Sequence, residues 1–281
     1  MRTEQEMYDR ILGFARADKR VRAVYLNGSR ANPHAPGDRY RDFDIVFVVT
    51  DFESFRSDPD WINVFGERLI LKMPEAMRAP SGRGHFNWMM LFTDGNRLDL
   101  TLIPSTKSEL IENDSETVVL LDKDEILPEF PPASDRDYLV RRPDALFYHS
   151  CCNNFFWCMQ NVAKGIVRDE LPYAMGMYHF ILDDELNDMA AWYIGTKNDF
   201  GVSVGKMGKY FKKYLPADLY QQYLTTCATT DEESFWNAIF AACALFRTLA
   251  KQVAAALGFT YNQQDDDGIM TYLHAMKSRA L

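Results

Sequence analysis

The residues best suited to chemistry lie in one short segment, YLNGSRANPHAPGDRYRDFDIVFVV (25–49). An apolar run ends at Gly28-Ser29, and a polar loop leads to Asp42 and Asp44 at the start of a second apolar run. Residues two apart on a strand point to the same face, so the two carboxylates would lie side by side. Like charges repel, and burial strengthens the repulsion, so a cation should accompany them. A hard divalent ion such as Mg²⁺ meets that requirement.

A third carboxylate lies in a later apolar run, RLDLTLIP (97–104). Asp99 interrupts a row of alternating leucines, so on a strand its side chain points away from the face that the leucines occupy. If this strand lies beside that of Asp42 and Asp44, the three carboxylates converge. Phosphoryl-transfer sites with two metal ions hold them between such carboxylates. We therefore predict Asp42, Asp44 and Asp99 as metal ligands and catalytic residues.

The Gly28-Ser29 pair and Arg30 are suited to binding phosphates. Glycine permits close approach of the backbone to a ligand, and Ser29 can cap the turn and donate to a phosphate. Exposed amides at the start of a helix bind anions, and the guanidinium of Arg30 matches phosphate oxygens. The alternative for Arg30 is a salt bridge to Asp38 or Asp42. The order of these parts predicts a nucleoside triphosphate, Mg²⁺ and in-line attack at phosphorus.

Each part alone also has an ordinary structural explanation. A Gly-Ser pair is usually a turn, and paired aspartates at a strand end are often solvated charges. Asp99 by itself fits the surface of an edge strand. The functional interpretation depends on the combination and order of the parts.

The pattern of apolar residues predicts the elements that position these side chains. An N-terminal helix, with Met7, Ile11, Phe14 and Ala15 at helical spacing, precedes six strands. The predicted strands cover 21–26, 43–50, 67–73, 86–92, 97–103 and 117–121. The turn between the fourth and fifth is Asp94-Gly95-Asn96.

A segment with four prolines, 127–144, separates this region from long apolar stripes of helical period. Two such stripes are Phe155, Cys158, Met159, Val162 and Ile166, and Phe235, Ile239, Ala242, Leu245 and Phe246. We predict an α+β fold, with a mixed sheet flanked by helices in residues 1–134 and an all-helical domain in residues 135–281. A ligand is expected in the cleft between the two domains.

Composition and charge exclude several classes of protein. The chain of 281 residues is 47% apolar, and its net charge of −9 argues against a nucleic-acid partner. The acidic balance suits a cationic partner, although many cytosolic enzymes share it. No run approaches about 18 consecutive apolar residues, and the charged N-terminus lacks a signal-peptide core, so no membrane partner is expected. Five scattered cysteines indicate free thiols in a reducing cytoplasm.

The order of these motifs resembles that of the DNA polymerase β-type nucleotidyltransferase superfamily. More narrowly, the chain resembles the aminoglycoside 6-adenylyltransferases, also called streptomycin adenylyltransferases, from its first residues to about Met276. The resemblance rests on GSRAN (28–32), DFDI (42–45), DLTLIP (99–104), CCN (151–153), VAKG (162–165) and SVGK (203–206). The last three motifs are far more specific to this family than the Gly-Ser and Asp-x-Asp pairs.

The resemblance implies a role for each matching residue. Gly28 and Ser29 would hold the triphosphate, and Asp42 and Asp44 would hold Mg²⁺, with two ions expected. Asp99 would help to bind metal and act as the base for the attacking hydroxyl. The family transfers AMP from ATP to a hydroxyl on the streptidine ring of streptomycin and releases pyrophosphate. The resemblance thus implies an N-terminal nucleotidyltransferase domain and inactivation of an aminoglycoside antibiotic, with ATP as co-substrate.

The helical half contains the candidates for substrate contact. In YHFILDDELNDMAAWYIG (178–195), Glu185, Asp188 and Trp192 share one face of a predicted helix. Acidic and aromatic side chains suit the two guanidinium groups of streptomycin. The alternative is a solvated acidic helix face. Glu185 and Trp192 also match positions of the family.

The lysine-rich segment SVGKMGKYFKKYL (203–215) is a candidate for nucleotide contact. Lys206 is predicted to reach the triphosphate or the adenine, because it falls in the family-like SVGK. Lys209 and Lys164 are further candidates. The alternative is a basic amphipathic helix with solvated lysines.

The chain departs from the family pattern at two places. The family shows Glu after CCN, where this chain has Asn154, and the helix before Trp192 is more acidic here. The acceptor therefore has alternatives: a different aminoglycoside, a lincosamide or a protein hydroxyl. A non-catalytic nucleotide-binding relative is a further alternative.

Overall fold

Strand-rich and helix-rich regions separate along the chain as their patterns predict. The computed structural model describes residues 1–78, 82, 84–227 and 231–279. The chain divides into two compact units, Met1–Asp137 and Tyr138–Leu281. The first contains a mixed sheet and the second consists mainly of helices, so the predicted α+β class is confirmed.

One six-stranded sheet forms the centre of the first unit. In chain order, its strands are β1 (Val21–Asn27), β2 (Phe43–Val49), β3 (Arg68–Lys72), β4 (Phe86–Phe92), β5 (Arg97–Pro104) and β6 (Thr117–Asp122). All six predicted strands are present. Their spatial order is β3-β4-β5-β2-β1-β6. Strands β2 and β5 run parallel, whereas the other neighbours run antiparallel.

Helix α1 (Glu4–Ala17) packs on one face of this sheet, and the short helix α2 (Phe52–Ser57) follows β2. Thr3 and Glu6 form a capping box that begins α1. The core beneath α1 contains Met7, Ile11 and Ala15 of the helix together with Phe43, Ile45 and Phe47 of β2. The predicted apolar spacing of α1 is therefore confirmed, and every second residue of β2 is committed to this core.

The opposite face of the sheet has a smaller apolar cluster. Val46 and Val48 of β2 pack there against neighbours from β1 and β5. Asp44 precedes Val46 by two residues, so strand alternation places its side chain on this face. One side of β2 thus anchors the strand, and the other side is open to polar groups at its N-terminal end.

The N-terminus of the chain is tied to the turn between β4 and β5. Asp94, Gly95 and Asn96 form this turn, as predicted, and the N–H of Phe92 donates to the carbonyl of Asn96 at 2.9 Å. Nε of Arg2 donates to Oδ2 of Asp94 at 2.6 Å. This contact fixes the turn from which β5 starts.

The second unit is built from helices around a large apolar core. They are α3 (Ala145–Val167), α4 (Leu171–Ile181), α5 (Asn187–Lys197), α6 (Phe211–Tyr214), α7 (Ala217–Thr225), α8 (Glu232–Leu257) and α9 (Gln263–Lys277). A π-helical turn, Leu182–Leu186, connects α4 to α5. Both predicted stripes, on α3 and α8, are buried.

Helix α8 belongs to this core. Among the helices described, it is long and apolar enough to cross a membrane by length and composition, yet 56% of its apolar window is buried. The ring of Phe246 on α8 stacks on that of Phe155 on α3, with centroids 3.8 Å apart. The apolar residues of α8 therefore pack in the core of the helical unit.

The cysteines are all free thiols, as predicted. Four are buried and Cys227 is exposed. Burial raises the pKa of Cys151 and Cys152, so both thiols stay protonated near neutral pH.

Candidate active site

The pairing of β2 with β5 brings the predicted carboxylates together. Asp44 and Asp99 are direct register partners on these parallel strands, so their side chains share one face of the sheet. Asp42 lies immediately before β2, two residues from Asp44. The structure therefore gathers all three at one end of the sheet, while their role as metal ligands stays a prediction.

Arg97 supplies the positive charge that this group requires. Its Nε and Nη2 donate to the two oxygens of Asp99 at 2.9 and 2.6 Å, and its Nη1 lies 3.1 Å from Oδ2 of Asp42. The hydrogen bonds to Asp99 raise the pKa of Arg97, so the guanidinium stays charged. Sequence reasoning missed Arg97, although it stands two residues before Asp99 and alternation places both on one face.

Asp44 is the least compensated of the three carboxylates. Among the residues that the structure describes, none donates a hydrogen bond to its side chain. Burial, and then repulsion from Asp99 and Asp42, raises the pKa of Asp44 to about 6. Burial also raises the pKa of Asp42, and Arg97 opposes that rise. A cation placed at Asp44 would relieve the repulsion.

These side chains fit Mg²⁺ by the chemistry of their donor atoms, although they do not form a finished cage. Carboxylate oxygens are the hard ligands that Mg²⁺ prefers. Over the described ranges, however, no three His, Cys, Asp or Glu side chains are arranged to hold a metal ion. The guanidinium of Arg97 contacts both Asp42 and Asp99.

Gly28 lies directly against the Asp44 carboxylate. Its φ of +72° is in the left-handed region that favours glycine. A Cβ at this position would lie 2.7 Å from Oδ2 of Asp44, so any larger residue would displace the carboxylate. Ser29 follows within the 3-10 turn Gly28–Arg30. No described residue hydrogen-bonds to the Ser29 hydroxyl, which leaves it available to a phosphate.

A small cavity of about 190 Å³ opens beside the carboxylates. Its polar lining comes from four strands: Asn27 on β1, Asp44 on β2, Asn87 on β4, and Asp99 and Thr101 on β5. The hydroxyl of Thr101 donates to Oδ1 of Asn87 at 2.6 Å. Sequence reasoning missed Asn27 and Asn87, because only the strand register brings these uncharged residues to the site.

Arg30 is engaged inside the chain. Its side chain is only 4% exposed, and Nη1 lies 3.0 Å from Oε2 of Glu4. Nε donates to the carbonyl of Asp42 at 3.1 Å, and Nη2 donates to the carbonyl of Arg41 at 2.5 Å. The guanidinium carbon lies 3.7 Å from the ring centroid of Phe43.

These contacts correct the prediction that Arg30 orients phosphates. The ring of Phe43 belongs to the core beneath α1, so the guanidinium lies on that side of β2, whereas Asp44 points to the other. All three nitrogens of Arg30 already have partners in the chain. The ion-pair alternative is right in kind, but the partner is Glu4 instead of Asp38 or Asp42.

A cavity of about 610 Å³ in the helical unit contains two of the predicted substrate contacts. Asp188 and Trp192 on α5 line it, together with Phe147 on α3. Partial burial, and then repulsion from Glu185 and Asp184, raises the pKa of Asp188. The cavity thus combines Asp188, for which the described residues provide no ion pair, with aromatic walls, and Arg141 and Arg142 also line it.

Glu185 lies outside the lining of this cavity. It belongs to the π-helical turn, whose extra residue shifts the helix faces before and after it. Its carboxylate accepts a hydrogen bond from Nδ2 of Asn154 on α3, and its backbone carbonyl accepts one from the thiol of Cys151 at 3.4 Å. Asp188 and Trp192 therefore line the cavity together, whereas Glu185 does not line it, and its contact with a substrate stays a prediction.

The positions of the predicted lysines do not establish a contact with the nucleotide. Lys206 is exposed at the start of the 3-10 turn Lys206–Gly208. Val204, two residues earlier, lines the 610 Å³ cavity. Nζ of Lys209 lies 5.0 Å from the ring centroid of Tyr210, and Lys164 is half-buried on α3. The nucleotide contact of Lys206 stays a prediction.

Replacing Gly28 by alanine should weaken binding of Mn²⁺ and ATP about tenfold or more. The new methyl group would overlap Oδ2 of Asp44, and the alanine would have to adopt a left-handed backbone conformation. Titration calorimetry with Mn²⁺ and ATP measures the change. The matched control is Gly13→Ala in α1, where a Cβ meets nothing within 4 Å. Unchanged binding by Gly28→Ala would contradict this placement of the turn.

Replacing Asp44 by asparagine should stabilise the metal-free protein at pH 8. A raised folded pKa of about 6 means that ionised Asp44 disfavours folding above that pH, and the effect disappears below about pH 4. After discounting for solvent screening, the expected gain is on the order of 1 kcal/mol. Thermal unfolding in a chelator at pH 8 and pH 4 measures it. Asp9→Asn, on the exposed side of α1, is the control; equal gains at both pH values would contradict the assignment.

The chain is similar to known proteins over nearly its whole length. A family model described as streptomycin adenylyltransferase matches residues 1–276. An aminoglycoside 6-adenylyltransferase of Campylobacter jejuni is 39% identical, covering 99% of this chain and 97% of its own. One of Bacillus subtilis (strain 168) is 38% identical, covering 97% of each.

A crystal structure described as an aminoglycoside 6-adenyltransferase from Bacillus subtilis covers 99% of both chains at 34% identity, with a TM-score of 0.48. The family match spans nearly the whole sequence, and it includes every carboxylate of the site on the sheet. The chain belongs to the streptomycin adenylyltransferase family.

Proposed function

We propose that the protein transfers AMP from ATP to a hydroxyl of an aminoglycoside and releases pyrophosphate. The observation that carries this proposal is the direct pairing of Asp44 with Asp99 beside the Gly28-Ser29 turn. Carboxylates and a free hydroxyl then meet where a triphosphate and its metal would bind. The names of the relatives support the acceptor class. Streptomycin is the aminoglycoside we propose, following the family description.

The residues on the sheet have distinct roles in this proposal. Asp42, Asp44 and Asp99 would hold Mg²⁺, two ions in our proposal, and bound Mg²⁺ supplies charge neutralisation at the phosphate oxygens. Ser29 donates its hydroxyl to the triphosphate. Asp99 accepts the proton of the attacking hydroxyl, and Arg97 orients its two oxygens before substrate binds. Positioning and charge stabilisation provide most of the catalysis in such transfers.

The acceptor contacts we propose are Asp188 and Trp192. A carboxylate and an aromatic face in one cavity suit a guanidinium or ammonium group. The raised pKa of Asp188 is consistent with this, because an arriving cation would stabilise its ionised form. Glu185 adds negative potential nearby, with its carboxylate held by Asn154.

The Asn154–Glu185 hydrogen bond favours one second candidate for the acceptor. Asn154 is neutral, so the Asn154–Glu185 pair carries one negative charge, that of Glu185. A glutamate at position 154, as in the family pattern, would give the pair two. An aminoglycoside with fewer positive groups than streptomycin would need less negative charge here. The chemistry on the sheet is the same for both acceptors.

The partners in this proposal are ATP and a cationic aminoglycoside. A net charge of −9 suits a cationic substrate and does not suit nucleic acid. We propose a cytoplasmic location, where ATP and Mg²⁺ are available, and no membrane partner. Lys206 is our candidate for an additional contact with the nucleotide.

Purified protein with ATP and Mg²⁺ should add one AMP to streptomycin and release pyrophosphate. Mass spectrometry of an aminoglycoside panel, with a pyrophosphate assay, measures both products. Asp99→Asn keeps the shape of the side chain but removes the base, so kcat should fall about 10²- to 10⁴-fold. The matched control, Asp9→Asn on the exposed side of α1, should retain full activity.

The panel separates the alternatives. Transfer to another aminoglycoside alone would correct the acceptor and keep the chemistry. Transfer to a lincosamide or to protein would reject the acceptor class. Intact binding of Mg²⁺ and ATP, with no pyrophosphate from any acceptor, would identify a non-catalytic nucleotide-binding relative and reject the proposal.

Replacing Asp188 by asparagine should raise KM for the aminoglycoside about tenfold, because a charged hydrogen bond to the cation is lost. KM for ATP should change less than about twofold, since that site lies on the sheet. Steady-state kinetics with each substrate varied measures the split. Asp184→Asn removes the same charge from an exposed neighbour outside the cavity. Equal effects of the two variants would show a general electrostatic effect and no direct contact.

A further inference from the structure

We infer that Arg30 and Arg41, anchored by Glu4, form a clasp that positions Asp42 for nucleotidyl transfer. We call these three residues the arginine clasp. The inference rests on the proposed function, in which Asp42 is a metal ligand. It makes both arginines positioning residues, since neither contacts the reacting groups.

Asp42 lies outside the hydrogen-bonded ladder of the sheet. Between β1 and β2 the last register pair joins Asn27 to Asp44, and between β2 and β5 the first pair begins at Phe43. The loop that leads to Asp42, residues 31–40, contains two prolines and a glycine and no strand. A chain of that length samples many conformations unless its ends are tied. The ladder therefore orders the backbone of Asp44 but not that of Asp42, whose carboxylate is contacted by Arg97.

The two arginines tie the ends of this loop to each other. Arg30 precedes the loop, and it donates to the carbonyls of two residues that follow the loop, Asp42 at 3.1 Å and Arg41 at 2.5 Å. In the other direction, Nη1 of Arg41 donates to the carbonyl of Ser29, which precedes the loop, at 3.3 Å. The contacts are reciprocal, and they connect the turn that would hold phosphates to the carboxylate that would hold metal.

Arg30 is itself held in a single orientation. Its Nη1 contacts Glu4 on α1 at 3.0 Å, and its guanidinium carbon lies 3.7 Å from the ring centroid of Phe43. The planar fork of Arg30 reaches a carboxylate and two successive carbonyls at once, each through a different nitrogen. A lysine could keep the ion pair with Glu4, but it would lose the forked contact with the carbonyls.

Loosening the clasp should therefore weaken metal binding and slow the transfer step, and it should leave binding of the acceptor unchanged. Arg30→Lys and Arg41→Lys should each lower kcat about tenfold or more, because small displacements of a ligand have large effects on transfer rates. The Mg²⁺ concentration for half-maximal rate should rise several-fold, while KM for the aminoglycoside changes less than about twofold. The double variant should be little worse than the poorer single one, because both act through one clasp.

The chain offers a closely matched control at the other end of β1. Arg20 also pairs with an acid, Asp18 at 2.6 Å, and its guanidinium carbon lies 3.9 Å from the ring centroid of Phe55. Arg20 is more exposed than Arg30, at 35% against 4%, but Arg20→Lys likewise removes a fork that pairs with an acid and stacks on a phenylalanine, without touching loop 31–40. It should leave kcat and the Mg²⁺ dependence unchanged, whatever its effect on Tm.

Two further readouts do not need an active enzyme. Hydrogen exchange of the amides in 31–44 should accelerate in Arg30→Lys and not in Arg20→Lys. Electron paramagnetic resonance titration with Mn²⁺ and ATP should show affinity reduced several-fold in Arg30→Lys. If these two results are obtained but the wild-type protein transfers no AMP, the clasp is supported and the proposed function is rejected. Wild-type kcat, Mg²⁺ dependence and Mn²⁺ affinity in Arg30→Lys would overturn the clasp.

Discussion

Repulsion among three carboxylates on one face of a sheet is the constraint on which the N-terminal unit depends. Arg97 compensates two of them, Asp42 and Asp99, and leaves Asp44 with a pKa raised to about 6. No described group donates a hydrogen bond to the Asp44 carboxylate, and Gly28 leaves no room for a side chain there. In the proposed function, a bound Mg²⁺ would relieve this repulsion.

The two faces of strand β2 differ, so the strand can carry this charge and still be anchored in the core. Phe43, Ile45 and Phe47 join the core beneath α1, while Asp44 faces the polar cavity on the other side. The arginine clasp extends the same arrangement past the end of the strand. The guanidinium of Arg30 lies on the core side and holds the backbone of Asp42, while the carboxylate of Asp42 pairs with Arg97.

The sequence predicts the elements well because alternation and helical period are local properties. It also predicts the group of Asp42, Asp44 and Asp99, since their positions on strands determine the faces they share. It fails where a side chain has a choice of partners. Arg97 reaches Asp42 through strand register, Arg30 reaches Glu4 through the packing of α1, and Glu185 accepts a hydrogen bond from Asn154 on another helix. None of these can be read from spacing alone.

The parallel pairing of β2 with β5 also has a consequence for folding. Asp44 and Asp99 are far apart in sequence, and the chain completes α2, β3 and β4 between them. Such distant pairings form slowly, because a large loop must close first. A partly synthesised or partly folded chain therefore lacks the site altogether, and a nucleotide that binds there can stabilise only molecules whose central strands have already met.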